Sequence, residues 1–200
     1  MRPHPKRMTI EEFRPWADRQ LGDERWELVD GYPLRMMAGG GRAHNVVASN
    51  LIINLAPAAK AKGCDATTSD TAVRINAHQL RLPDFVIDCD PPEDHVREAM
   101  APRIIAEVLS PSTTAIDEMD KLDEYRSLST ARVLMLIDPL IVAVKVYRRD
   151  DDGTWMAERY DRLNQAVPLP EIDATLALSD IYDTLTPDER PSMRVVRAAD

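Results

Sequence analysis

The run Ile104-Ile105-Ala106-Glu107-Val108-Leu109 constrains this chain more tightly than any other. It reads as a buried strand, and a carboxylate inside one is costly unless it is paired, hydrogen-bonded or bound to a metal. Side chains alternate along a strand, so Glu107 shares a face with Ile105 and Leu109 and must lie near the strand's open end or face a polar pocket. Two more acids pose the same problem: Glu27 lies within Trp26-Glu27-Leu28-Val29, and Asp84 opens Pro83-Asp84-Phe85-Val86-Ile87. A salt bridge to a buried arginine, or a strand end in water, explains any one of them. Three together point to a hard cation such as Mg²⁺, which takes oxygen ligands and is usually held by one or two carboxylates plus waters and substrate phosphates. No HxxxH, HExxH or Cys/His cluster competes for a softer metal.

The rest of the chain predicts a mixed sheet flanked by helices, in one α/β or α+β layer structure. Thr9-Ile10-Glu11-Glu12 has the form of a capping box opening a helix to about Gln20. Two strands, Trp26–Val29 and Leu34–Met37, flank the hairpin dipeptide Asp30-Gly31. The glycines Gly39-Gly40-Gly41 lack a phosphate-loop pattern and read as a flexible loop. Val47, Leu51 and Leu55 recur every fourth position in a helix from Ala43 to about Lys62, with a disturbance expected at Pro57 and a stop at Gly63. Thr67–Ile75, Phe85–Cys89 and Ile104–Leu109 read as β runs, the last two buried. Pro111-Ser112-Thr113-Thr114 caps a second helix, Ile116 to about Leu128, and strands follow at Val133–Ile137, Val142–Arg149 and Trp155–Tyr160. A short apolar segment near Ile181 closes the domain. The expected organisation is a flexible lead at 1–8, a domain at 9–186 and a tail at 187–200.

Length and composition suit one globular domain: 200 residues, 44% hydrophobic and 30% charged. The net charge of −9 has the wrong sign for a protein whose whole surface holds a polyanion, so any nucleic-acid contact needs a local basic patch or bound cations. Arg35, Arg42, Arg74 and Arg81 are candidates for that patch. No apolar run approaches the roughly 20 residues that span a bilayer, and the basic start leads into TIEEFRPWAD rather than a signal core, so a cytoplasmic protein without a membrane partner is expected. Cys64 and Cys89 show no metal-ligand spacing and are expected as reduced structural thiols.

Beyond Glu107, Asp117, Lys121 and Tyr125 are spaced four apart on one side of the second helix, beside an apolar arc of Met119, Leu122 and Leu128. A lysine at that border can lay its stem on the core and send its ammonium toward Glu107, or it can form a surface pair with Asp117. In chain order stand Glu27-Leu28-Val29-Asp30-Gly31, His44 opening a helix, Arg81-Leu82-Pro83-Asp84, Glu107-Val108-Leu109-Ser110-Pro111-Ser112-Thr113, then Asp117, Lys121 and Tyr125, and Asp138-Pro139. This series resembles the bacterial Uma-type putative restriction endonuclease family, a branch of the PD-(D/E)XK nuclease superfamily, over about residues 8–185.

The resemblance implies a restriction-endonuclease-like fold in which Asp84 and Glu107 hold Mg²⁺ or Mn²⁺, with Glu27 close by. The superfamily places its lysine two residues after the second acid, where this chain has Leu109; Lys121 on the following helix is expected to fill the same space. Val133-Leu134-Met135 departs from the family's usual Glu-Tyr-Trp before Asp-Pro. The leading expectation is a divalent-metal-dependent endonuclease acting on DNA. In it Asp84 and Glu107 fix the ion, the Val108 carbonyl adds a neutral oxygen ligand, Glu27 holds a water or a second ion, and Lys121 orients the nucleophile or neutralises the charge on the phosphate. His44 either lines the site or touches nearby backbone at its helix start, and Asp117 and Tyr125 are further candidates beside Lys121. The alternatives are an inactive nuclease-fold module for nucleic-acid or protein interaction, and a purely structural oligomer. A homo-oligomer is compatible with each.

Overall fold

Both faces of the main sheet are covered at its central strands, Phe85–Asp88, Pro102–Val108 and Val133–Asp138, which is why those strands read as near-continuous apolar runs. The computed structural model describes residues 6–20, 24–36, 40–91, 96–110 and 115–189, without the side chains of 115–118. Helix α1 (Ile10–Ala17) starts at the expected capping box, with Thr9 and Glu12 each bonding the other's backbone N–H. Strands β1 (Trp26–Val29) and β2 (Tyr32–Arg35) pair antiparallel, with Val29 opposite Tyr32 across Asp30-Gly31. Both turn residues have positive φ, as a tight hairpin turn demands.

Helix α2 (Arg42–Ala61) is followed by β3 (Asp65–Thr68), β4 (Ala72–Asn76), β5 (Gln79–Arg81), β6 (Phe85–Asp88), β7 (Glu98–Ala99) and β8 (Pro102–Val108). Then come α3 (Ala115–Arg126), β9 (Val133–Asp138), β10 (Ala143–Arg149), β11 (Trp155–Tyr160), the hairpin β12 (Ala166–Leu169) and β13 (Ala174–Ala177), and the one-turn α4 (Leu178–Ile181). A six-stranded sheet has the order β11-β10-β9-β8-β6-β3, with β8 and β9 parallel and its other pairs antiparallel. A five-stranded sheet has the order β2-β1-β5-β4-β7. The architecture is mixed α+β.

Phe85, Ile87, Ile104, Ala106, Val133 and Met135 pack on one side of the larger sheet with Val47, Leu51 and Leu55 of α2. Val86, Ile105, Leu134 and Leu136 face the other side, with Leu122 and Tyr125 of α3. A third cluster sets Ile10 and Phe13 of α1 on Leu28, Ala72 and Leu80 of the smaller sheet. The Asp84 and Glu107 side chains are brought together because Phe85 lies opposite Ala106 in the β6–β8 ladder.

Several expectations are corrected. Cys64 and Cys89 are not reduced thiols but form a disulfide: Asp65 lies opposite Asp88 at the adjoining end of the β3–β6 ladder, so the flanking cysteines face each other. Helix α2 continues past Pro57, which is exposed, so the carbonyl lacking its N–H partner lies on the solvent side. The run Thr67–Ile75 divides between two sheets at a turn closed by the Thr71 N–H on the Thr68 carbonyl, 3.0 Å. Met119 lies 66% exposed and leaves the apolar arc, which Tyr125 joins instead. Asp188, within the expected tail, bonds both Leu140 and Val142 of the backbone. Gly39 and Pro111–Thr114 lie outside the described residues, as does the Asp117 side chain. Among the described residues no helix is long and apolar enough to cross a membrane.

Candidate active site

Glu107 stands one residue before the C-terminal end of β8, beside α3 and the sequence-distant β1 and β5. A cavity of about 460 Å³ is lined by Glu27, His44, Asp84, Glu107, Lys121 and Tyr125, with Val108 and Arg81 also on its wall. Lys121 Nζ lies 3.2 Å from Glu107 Oε1 and 3.3 Å from Glu27 Oε1. Tyr125, one turn further along α3, donates its hydroxyl to Glu107 Oε1 at 2.7 Å. The four-residue spacing thus puts both groups on one carboxylate.

Asp84 is fixed from the other side. Its Oδ2 accepts the Val108 N–H at 2.8 Å and lies 3.2 Å from His44 Nε2, near the start of α2. That contact holds the His44 imidazole above its ordinary pKa, against the opposing effect of burial. Burial, opposed by the Lys121 charge and reinforced by Asp84 and Glu27, pushes the Glu107 carboxyl up to about 7. Burial alone would raise Glu27 as well, but Lys121, Arg81 and the Leu82 N–H hold it below its ordinary value. Lys121 itself is held well above the usual range, because Glu107 and Glu27 outweigh the cost of its burial.

Glu27 is nevertheless engaged differently from the other two acids. Arg81 Nη1 reaches its Oε2 at 2.9 Å and the Leu82 N–H its Oε1 at 3.0 Å, so both oxygens are committed within the fold. The same guanidinium clasps Glu124 of α3 through Nε and Nη2, each at 2.6 Å. Arg81 was expected only as a source of positive potential, and Glu124 was not singled out. Glu124 stands three residues after Lys121, the helical spacing that could have suggested a shared face.

Among the described residues no group of three or more His, Cys, Asp or Glu is placed to hold a metal ion. The expected three-acid cluster is therefore reduced by the commitment of Glu27 to Arg81, although all three acids line one cavity. The remaining pair, Asp84 and Glu107, is a hard-oxygen donor set of the size Mg²⁺ normally takes from a protein. None of the bonds described above uses Asp84 Oδ1 or Glu107 Oε2, and burial, with the neighbouring Asp84 charge adding to it, raises Glu107. A divalent cation fits that arrangement. Of the arginines expected to supply positive potential, Arg35 pairs with Glu24, Arg74 with Glu98 and Glu11, and Arg81 with Glu27 and Glu124.

The model of the Uma2 family, described as "Putative restriction endonuclease", matches residues 10–179. A Synechocystis protein bearing the name "Uncharacterized protein slr1290" is 29% identical over 182 residues, covering 90% of this chain and 93% of that one. A second from the same organism, "Uncharacterized protein sll1609", is 27% identical over 137 residues, 66% of this chain and 77% of its own length. The crystal structure of a "putative nuclease belonging to DUF820" from Anabaena variabilis superposes with a TM-score of 0.70 at 20% identity, covering 88% of this chain and 97% of that one. That likeness establishes a shared fold.

Proposed function

The chain belongs to the Uma2 family, and from that premise and the geometry of the cavity we propose that it is a divalent-metal-dependent endonuclease hydrolysing phosphodiester bonds in DNA. The observation that carries the reading is the placement of Lys121. It reaches Glu107 from α3, supplying an ammonium that position 109, a leucine, cannot supply.

In this reading Asp84 and Glu107 would hold Mg²⁺ or Mn²⁺, and the Val108 carbonyl would add a neutral oxygen. The bound ion would lower the pKa of a water and stabilise the charge that builds on the phosphate. Lys121 stands beside Glu107 to orient the attacking oxygen or neutralise that charge. Tyr125 fixes the Glu107 rotamer, and His44 with the Val108 N–H fixes Asp84. Glu27 acts through Lys121, which it helps to hold, rather than as a ligand. Burial of the Lys121 ammonium in a cavity wall keeps it from being solvated away from the reacting phosphate.

Plasmid cleavage with Mg²⁺ or Mn²⁺ tests the proposal. Asp84→Asn, Glu107→Gln and Lys121→Met should each lower the rate by about a hundredfold or more, as loss of a charge-stabilising group does elsewhere. Wild-type protein that binds DNA but leaves it intact under all divalent conditions would instead make the chain a nuclease-fold binding module.

A further inference from the structure

The sheet face that carries Glu107 continues past α3. In register, Glu107 pairs with Leu136 of β9, Leu136 with Lys145 of β10, and Lys145 with Arg159 of β11. Directly paired residues point to the same side of a sheet, so one row leads from the carboxylate to two cations. At about 4.8 Å per strand, Arg159 stands about 14 Å from Glu107.

The parallel row four residues back along β8 is also basic. The Arg132 N–H bonds the Arg103 carbonyl, the Arg149 N–H bonds the Arg132 carbonyl, and Arg149 pairs with Trp155. Between the two rows, Tyr147 carries the Arg126 guanidinium 4.6 Å from its ring centre, and within the second row Arg149 lies 6.0 Å from the ring centre of Trp155. The acids on this face are engaged locally: Asp138, opposite Ala143 in the row next to Lys145, accepts the Leu140 and Ile141 N–H groups. Asp161 lies 3.6 Å from Arg159, and Asp123 pairs with Arg126. Glu158 falls on the opposite face, opposite Val146 in the register, and binds Arg148 there.

In a chain of net charge −9, this concentration of cations contrasts with Arg81, which is neutralised inside the fold by Glu27 and Glu124, and with Arg74, which is held between Glu98 and Glu11. Lys145 and Arg159 are exposed, and Lys145 makes none of the ion pairs found among the described residues. The aromatic rings are covered by their arginines, so the face offers charge to a backbone rather than a platform for stacked bases.

We propose that the β10–β11 face beside α3 is a phosphate track for duplex DNA entering the cavity, contacted by Lys145 and Arg159 and continued by Arg149. The assignment rests on the nuclease reading for the identity of the polyanion. A rise of 3.4 Å per nucleotide makes the 14 Å offset about four nucleotides, so the track engages the backbone a few steps from the bond to be cut.

The test is fluorescence anisotropy of a short fluorescein-labelled duplex in EDTA, where cleavage cannot intervene, over a salt series beginning near 50 mM. Wild type should bind, and Lys145→Ala/Arg159→Ala should bind about tenfold more weakly, its salt slope smaller by about 1.8 for two lost phosphate contacts. Lys60→Ala, an exposed cation on α2, should match wild type in both respects. Thermal melting of the double variant should be unchanged, because both side chains are exposed. Wild type that fails to bind, a double variant that binds with wild-type affinity and slope, or tighter binding to the single strand than to the duplex would each overturn the track. The catalytic reading is judged separately in Mg²⁺. Loss of binding in the double variant with no cleavage by wild type leaves the track standing and removes the nuclease. Wild-type binding and cleavage by the double variant does the reverse.

Discussion

Glu27 and Glu107 both touch the Lys121 ammonium, yet the fold treats them in opposite ways. Glu27 is 3% exposed and is met by a guanidinium, a backbone N–H and the lysine, so its charge is compensated and its pKa lowered. Glu107 has Lys121 and the Tyr125 hydroxyl on one oxygen, and burial, reinforced by the like charges of Asp84 and Glu27, pushes it up to about 7. The first arrangement is that of a buried ion pair holding elements together. The second is under-compensated, as a ligand site is before its cation arrives. Two acids equally conspicuous in sequence thus differ in role because one strand, β5, brings Arg81 to only one of them.

The difference is broken most strongly at Arg81. Arg81→Met leaves the buried Glu27 and the half-buried Glu124 without their shared cation, at 3% and 14% side-chain exposure. Stranding a buried partner typically costs about 3–5 kcal/mol. Urea unfolding should show a loss of that size, and because α3 is released from β5, Lys121 should lose its fixed position as well. A loss under about 1 kcal/mol would mean that the Arg81 clasp is a surface-like pair and that Glu27 is free to act as a ligand.

Glu107 should respond with the opposite sign. Between about pH 4.5 and 7 the folded protein holds a proton on Glu107 that the unfolded chain has released, so this group makes stability fall as pH rises through that window. Glu107→Gln removes the effect. The variant should match wild type near pH 4.5 and exceed it by about 1–3 kcal/mol at pH 8, the ceiling being set by 1.36 kcal/mol per pKa unit. Mg²⁺ or Mn²⁺ should raise the wild-type melting temperature at pH 8 and leave that of Glu107→Gln nearly unchanged. A variant less stable than wild type at pH 8 would put Glu107 in the same class as Glu27.

The sequence made the acids visible because a carboxylate in an apolar run has few inexpensive explanations. Lys121 and Tyr125 were legible too, since helical spacing fixes which side chains share a face once the helix is placed. The pairing of Arg81 with Glu27 and Glu124 was not, because it joins β5 to β1 and α3 across more than 40 residues, and nothing in local pattern encodes which distant strand lies alongside. The same limit hid β5, β7 and the β12–β13 hairpin: β7 is two residues long, and Pro168 interrupts β12. The disulfide was missed for a related reason. Redox compartment is a statistical guide, whereas the meeting of Cys64 and Cys89 follows from the antiparallel register of β3 and β6. The basic rows of β10 and β11 likewise become rows only when register is known; in sequence Lys145 and Arg159 are 14 positions apart and unremarkable.

The smallest expected effect lies at Tyr125, and it refines the contrast between the acids. The Tyr125 hydroxyl is buried, its pKa is raised well above the ordinary value by burial and the Glu107 charge, and it donates to Glu107 Oε1. Removing that donor withdraws support from the acid that already has too little, whereas Glu27 receives nothing from this hydroxyl. A hydrogen bond to a charged group contributes about 1.5–3 kcal/mol and one between neutral groups about 0.5–1.5 kcal/mol. Tyr125→Phe should therefore cost more at pH 8, where Glu107 is ionised, than at pH 5, where it holds its proton, and the gap should be about 1 kcal/mol. Because the ionised form loses more, the Glu107 pKa should rise further in this variant, which carboxyl titration by NMR would read directly. The added gap should vanish in Tyr125→Phe/Glu107→Gln, since glutamine stays neutral at both pH values. An equal cost at the two pH values in the single variant would mean that Tyr125 only fills space against β9, and that Lys121 alone sustains the Glu107 charge.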